Sequence, residues 1–204
     1  MLKIVLLGDG GVGKSSLMNV YVTERFDPNS SHTIGVEFLK KEITTLNRSE
    51  PTVLQIWDTA GQERFKSLRT PFYRGSDACL LTFAVDDDQS FKNLSIWQEE
   101  FCKYSKLSNR NCFPFIVIGN KIDVPESERK VTTQQAESWC KEHNMPYFET
   151  SAKDVINVDK AFTMAASKAI ELETNFNGTI AMNVQGINLN SSQRQQKNDN
   201  SGCC

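Results

Sequence analysis

Residues 8–15 read Gly8-Asp9-Gly10-Gly11-Val12-Gly13-Lys14-Ser15, with backbone freedom, one cation and one hydroxyl at fixed spacing. The run fits G-x-x-x-x-G-K-[ST] in full. It follows an apolar stretch that reads as a strand and opens one that reads as a helix, the context the motif needs. Glycines let successive N–H groups converge on a phosphate where a Cβ would obstruct the curvature. Lys14 places a point charge between β- and γ-phosphates, and the helix N-terminus adds its dipole. The Ser15 hydroxyl is a magnesium ligand in such a loop. Gly10, Gly11, Val12, Gly13, Lys14, Ser15 and Ser16 form the expected phosphate-binding set. The competing reading is a glycine-rich turn with a solvated lysine. The loop specifies a nucleoside triphosphate without saying which base.

The base is addressed further along. Residues 115–119 form a buried strand pattern, and Asn120-Lys121-Ile122-Asp123 sits at its carboxyl end, the edge where open α/β sheets hold ligands. A carboxylate at Asp123 accepts two hydrogen bonds from the N1–H and exocyclic amine of guanine. Adenine lacks that donor pair and would leave a buried carboxylate unpaired. The aliphatic stem of Lys121 covers the base, and Asn120 ties neighbouring loops together. Alone, N-K-x-D is equally a polar turn; behind a complete phosphate loop it is a strong signal. Ser151-Ala152-Lys153, after a further strand pattern, supplies a backbone N–H for the guanine carbonyl, or caps the turn before Asp154, or both.

Asp58-Thr59-Ala60-Gly61-Gln62 follows another buried strand pattern. Asp58 suits a water-mediated place at magnesium, the Gly61 N–H reaches a γ-phosphate, and Gln62 orients an attacking water for in-line displacement. Thr33 coordinates magnesium through its hydroxyl only when its loop closes; by itself it is an ordinary loop threonine. Two loops whose order depends on the γ-phosphate amount to a switch.

The elements that must position these residues alternate along the chain. Strand patterns cover 3–7, 36–46, 52–58, 78–85, 115–120 and 147–150. Helix patterns cover 14–24, an irregular piece near 65–74, 90–103, 133–143 and 157–173. Near-continuous Val, Ile, Leu and Phe in several strands predicts helices on both sheet faces. The alternation predicts an α/β, mostly parallel, doubly wound sheet, and the short link at 47–51 makes the second and third strands an antiparallel hairpin. One domain is expected over 1–173 of the 204 residues. A disordered tail rich in Asn, Gln, Ser and Gly is expected over 174–204. A net charge of -2 gives no sign of a polyanion-binding surface, so no nucleic-acid partner is expected. No stretch approaches the roughly 20 apolar residues of a membrane span, and the short apolar start reads as a strand, not a signal peptide. Cys79, Cys102, Cys112 and Cys140 are irregularly spaced and read as reduced thiols of a cytosolic protein.

With these motifs in order over 3–172, the chain resembles the Ras-like small GTPases. Within them it resembles the Rab family through Ile34-Gly35-Val36-Glu37-Phe38, the run from Leu54 to Phe65, and Phe72-Tyr73-Arg74-Gly75. The resemblance implies the P-loop NTPase fold, a six-stranded mostly parallel sheet with one antiparallel edge strand. It implies that Ile34, Phe38, Trp57 and Phe72 belong to the surface effectors read, with core packing as the bland alternative for the aromatics. It also implies that Phe26 stacks edge-on against guanine. Segments 8–11, 67–72, 85–87 and 147–150 are most similar to the Rab-nine subgroup, with Rab seven next. That similarity implies late-endosome and trans-Golgi membranes, with a soluble cytosolic pool. Implied partners are an exchange factor, a GTPase-activating protein, a GDP-dissociation inhibitor or escort protein, and effectors. Two departures stand out: few residues precede the first strand, and the hairpin turn at 47–51 is longer than usual for the family.

Phosphoryl transfer needs positioning and charge neutralisation more than covalent chemistry, and Lys14, Thr33 and Gln62 are the expected catalytic residues, with Ser15, Thr33 and Asp58 at the metal. No arginine lies in the phosphate loop, and Arg64 is read as locally ion-paired. Slow intrinsic hydrolysis follows, accelerated by an arginine from an activating protein, worth roughly 10³–10⁵-fold in Ras-type relatives. The chain ends Ser201-Gly202-Cys203-Cys204, not a C-a-a-X box, and the resemblance implies geranylgeranyl groups on Cys203 and Cys204. Only Arg194, Lys197 and Asp199 carry charge after residue 173, so no polybasic patch supports a single lipid. Two other classes remain open: a scaffold that binds nucleotide without hydrolysis, and another P-loop NTPase such as an ATP-dependent kinase.

Overall fold

The computed structural model describes residues 1–28, 33, 35–44, 50–62, 65–107 and 112–185, with side chains as far as 175. The strands are β1 (Leu2–Leu7), β2 (Val36–Ile43), β3 (Thr52–Thr59), β4 (Ala78–Ala84), β5 (Phe115–Asn120) and β6 (Tyr147–Glu149). They form one six-stranded sheet in the order β2-β3-β1-β4-β5-β6. Every neighbouring pair is parallel except β2 and β3, whose register pairs Phe38 with Trp57.

Alternation along β1 divides the core. Ile4 and Leu6 face one side with Leu17 and Met18 of α1 (Lys14–Thr23) and Ala161 and Phe162 of α6 (Val158–Gln185). Val5 and Leu7 face the other with Phe91 of α3 (Asp88–Lys92), Trp97 and Phe101 of α4 (Leu94–Ser105) and Ala136 of α5 (Thr133–Glu142). Both faces of the sheet are thus covered, which is why its central strands β4 and β5 are nearly continuous in apolar residues.

Several boundaries differ from those the sequence predicts. The pattern at 65–74 resolves into α2 (Lys66–Arg69) followed by a 3-10 turn, Thr70–Tyr73, with Pro71 in its first turn, a position where a proline costs no hydrogen bond. The helix expected at 90–103 is two helices. The first is capped by Asp87 Oδ1, which accepts from the N–H groups of Gln89 and Ser90; the break falls at Asn93. The compact unit ends at Leu172, but helical backbone continues to Gln185, past the expected end at 173 and into the stretch read as disordered. No proline follows Pro146, and extending a formed helix adds one hydrogen bond per ordered residue. Residues 47–49 of the hairpin turn, Ile34, Arg64 and the terminal cysteines lie outside the described residues. Among the described residues no helix is long and apolar enough to cross a membrane, and Cys79, Cys102, Cys112 and Cys140 are free thiols.

Candidate nucleotide-binding site

The loop between β1 and α1 is built around backbone that only glycine adopts easily. Gly13 has φ 95°, and a β-carbon there would collide with the Asn120 amide. The Lys14 side chain folds back under the loop, its Nζ donating to the carbonyls of Gly8 at 2.9 Å and Asp9 at 2.8 Å. Burial pulls the Lys14 ammonium down to about 8, against the opposing pull of Asp58 and Asp9. A buried cation satisfied by two loop carbonyls is poised for a polyanion.

Three oxygens from separate segments meet beside it. Ser15 Oγ lies 2.6 Å from Thr33 Oγ1 and donates to Asp58 Oδ2 at 2.5 Å, and Thr33 Oγ1 donates to the same oxygen at 2.9 Å. Asp58 is fully buried, and its Oδ1 has no hydrogen-bond partner among the described residues. Burial pushes its carboxyl upward, countered by Lys14, Ser15 and Thr33. Two hydroxyls and a buried carboxylate are hard oxygen donors of the kind magnesium takes alongside phosphate and water. The donor set therefore fits that ion.

Gly61 packs against the loop so closely that a β-carbon would strike the Asp9–Gly10 backbone, and Gln62 Cγ stands 3.4 Å from the place a Gly10 β-carbon would occupy. The Gln62 side chain thus lies alongside the phosphate loop. The Ala60 N–H donates to Gly35 O at 2.9 Å, joining the segment after β3 to the one before β2.

At the far end of the loop Asn120 acts as a clasp. Its Nδ2 donates to Val12 O at 2.9 Å, while Oδ1 accepts from Thr150 Oγ1 at 3.0 Å and the Ala152 N–H at 3.3 Å. Asp123 Oδ1 accepts from Ser151 Oγ at 2.6 Å. The same hydroxyl accepts from the Asp154 N–H at 2.9 Å, so Ser151 serves as cap and as carboxylate partner at once. Lys153 Nζ lies 3.8 Å from Asp123 Oδ2, and Lys121 Nζ lies 3.7 Å from Asp86. Phe26 is half-buried against the α1–α6 side of the core.

Away from the loop, Phe38, Trp57 and Phe72 stack in series, with ring centroids 4.8 and 5.2 Å apart. Phe38 is 47% exposed and Phe72 36%, which excludes the plain core reading for these two. Lys3 Nζ sits 4.8 Å from the Trp57 ring and donates to Phe72 O at 2.5 Å, anchoring the row from β1.

Several polar residues around the site carry no sequence signal. Asp9 is gripped by the start of α4, with Trp97 Nε1 donating to Oδ1 and Nδ2 of Asn93, the residue before the helix, donating to Oδ2, each at 2.7 Å. Arg69, Tyr73 and Glu100 form a buried cluster. A cleft of about 510 Å³ opens between these groups and is lined by Asp9, Gly61, Gln62, Arg69, Asn93 and Trp97, among others. The spacing of Asn93 and Trp97 shows only that they share a helix face; that the face meets the phosphate loop is a tertiary fact.

A phosphate loop on β1, a buried carboxylate at the end of β3 and a base-side clasp at the end of β5 define a P-loop GTPase domain. The sequence pattern of the Ras family matches residues 3–171. Over its full length the chain is similar to Rab-9B of Mus musculus, 53% identical with 97% of that protein covered. It is similar to human Rab-9A at 52% with the same coverage, and to Rab-7a of Dictyostelium discoideum at 46%, again covering 97%. The chain belongs to the Rab branch of the Ras family. It is a small GTPase of membrane trafficking, and as in that family generally it works with guanine nucleotide, magnesium, regulators of exchange and hydrolysis, and effectors.

Proposed function

We propose that this protein cycles between GDP and GTP states on late-endosomal and trans-Golgi membranes. In this reading it recruits effectors in the GTP state and hydrolyses GTP slowly by itself. The observation that carries the reading is the meeting of Ser15, Thr33 and Asp58 oxygens beside Lys14. Ser15 and Thr33 would hold magnesium beside Asp58, and the bound ion would supply charge neutralisation for the phosphates. Lys14 leaves its carbonyl partners for the phosphates, the Gly61 N–H meets the γ-phosphate, and Gln62 orients the attacking water. Asp123 reads guanine, Lys121 and Phe26 flank it, and the segment 151–153 closes over its carbonyl edge. The phosphate contacts come from the N–H groups of residues 10–16.

Ile34, Phe38, Trp57 and Phe72 are the effector surface. An aromatic row bordered by polar residues buries much area on contact. Cys203 and Cys204 carry two prenyl groups, and an escort or GDP-dissociation inhibitor carries the protein between membranes. The subgroup likeness supports the compartment. Single-turnover hydrolysis of loaded GTP, with competition by GTP and ATP, tests the reading. Slow hydrolysis, rejection of ATP and loss of turnover in Gln62→Leu are expected. Fast unaided hydrolysis or equal affinity for ATP would overturn it.

A further inference from the structure

Arg69, at the end of α2, is 3% exposed, and each of its three nitrogens donates a hydrogen bond. Nε and Nη2 donate to the two Glu100 oxygens at 3.0 and 3.2 Å, a bidentate pair. Nη1 points the other way, donating to Gln62 O at 2.7 Å and Ala60 O at 3.3 Å. The guanidinium carbon lies 4.4 Å from the centroid of the Trp97 ring, and Trp97 in turn holds Asp9 of the phosphate loop through Nε1. Glu100 is fixed from two further sides, by Tyr73 Oη donating at 2.9 Å and by Lys66 Nζ at 2.9 Å.

We propose that Arg69 is a positioning residue for GTP hydrolysis. It holds the carbonyls on either side of Gly61, so that the Gly61 N–H and the Gln62 side chain keep one orientation toward the γ-phosphate. Its stacking on Trp97 keeps that segment in register with the phosphate loop. An arginine needed only to neutralise Glu100 would use one edge of its guanidinium; here the second edge serves the turn that carries Gln62. Lysine lacks the planar fork and cannot satisfy both sides. Small displacements of a positioned group cost large factors in rate. The proposal rests on Gln62 orienting water, as argued above.

The test is single-turnover hydrolysis by the full chain preloaded with GTP, so that nucleotide affinity does not enter. Arg69→Lys is expected to slow hydrolysis about tenfold while GDP release changes less than about twofold. The pair Arg69→Leu with Glu100→Leu leaves no orphaned buried charge and is expected to load nucleotide normally yet hydrolyse as slowly as Arg69→Lys. In a Gln62→Leu background Arg69→Lys is expected to add nothing, since both act through one group. Wild-type rates in Arg69→Lys and in the paired variant, with Gln62→Leu slow, would overturn the proposal and spare the Gln62 reading. So would losses that multiply in the Gln62→Leu/Arg69→Lys variant. A wild-type rate in Gln62→Leu would remove the Gln62 reading itself, and the proposal with it.

Discussion

In the proposed function Asp123 carries base choice on two oxygens, one of which accepts from Ser151 at 2.6 Å. Exchanging it for asparagine removes the charge and turns one acceptor into a donor. The N1–H and exocyclic amine of guanine then face a single acceptor, whereas xanthine offers a carbonyl where guanine has the amine. Asp123→Asn is therefore expected to weaken GTP binding by about 10²-fold and to favour xanthosine triphosphate. Competition against labelled GDP measures both, and an unchanged preference for GTP would show that Asp123 does not face the base. Asn120 is a different kind of residue. Its amide spans the phosphate loop and the 150–152 segment at once, so its loss would weaken every nucleotide alike.

At the scale of elements, α4 braces the phosphate loop and the segment that carries Gln62 and α2. It reaches the phosphate loop through Asn93 and Trp97 and the α2 segment through Glu100. Burial alone would raise the Glu100 carboxyl, but hydrogen bonds from Arg69, Lys66 and Tyr73 outweigh it and hold the group below the ordinary carboxylate value. Glu149 is lowered likewise: burial raises it, and Arg129 and Thr133 more than compensate. A carboxyl whose folded value lies below its unfolded one stabilises the fold above the unfolded value, and that contribution is lost as pH falls through the folded one. The thermal midpoint should therefore decline as pH falls below about 5, through the ordinary glutamate range. Glu100→Gln should flatten that acid slope and lower stability near neutrality by about 3 kcal/mol, as when a buried pair loses one charge. Thermal melts across pH on wild type and variant measure this, and an acid slope unchanged in Glu100→Gln would contradict it.

At the scale of the whole molecule, a nucleotide-dependent surface must be coupled to a membrane address. Phe38, Trp57 and Phe72 lie on β2, β3 and the turn after α2, so the row spans the elements that adjoin the Thr33 and Gln62 segments. The address is proposed for Cys203 and Cys204, outside the described residues. One prenyl chain gives marginal, reversible binding, and the charged residues after 173, Arg194, Lys197 and Asp199, supply no basic patch to assist it. Cys204→Ser is thus expected to move most of the protein from membranes to the soluble fraction, read by flotation after prenylation. Undiminished attachment would show that one lipid suffices.

Much of the candidate site was legible in the sequence because its chemistry is local. Residues 8–15 share one turn, and 58–62, 120–123 and 151–153 each sit at a strand end, so consecutive spacing alone sets their geometry. The fold class was legible for a related reason: apolar runs alternating with amphipathic helices admit few packings. Helix ends were less so, since the break at Asn93 and the run on to Gln185 depend on caps and propagation rather than on apolar period. The meeting of Ser15, Thr33 and Asp58 was already expected from the sequence; only the tertiary structure decided that Asp9 is held by Trp97 and that Arg69 reaches back to Gln62. These bonds join groups on different elements. Their partners are chosen by how helices seat on the sheet, and a contact made that way leaves no period or spacing in the chain.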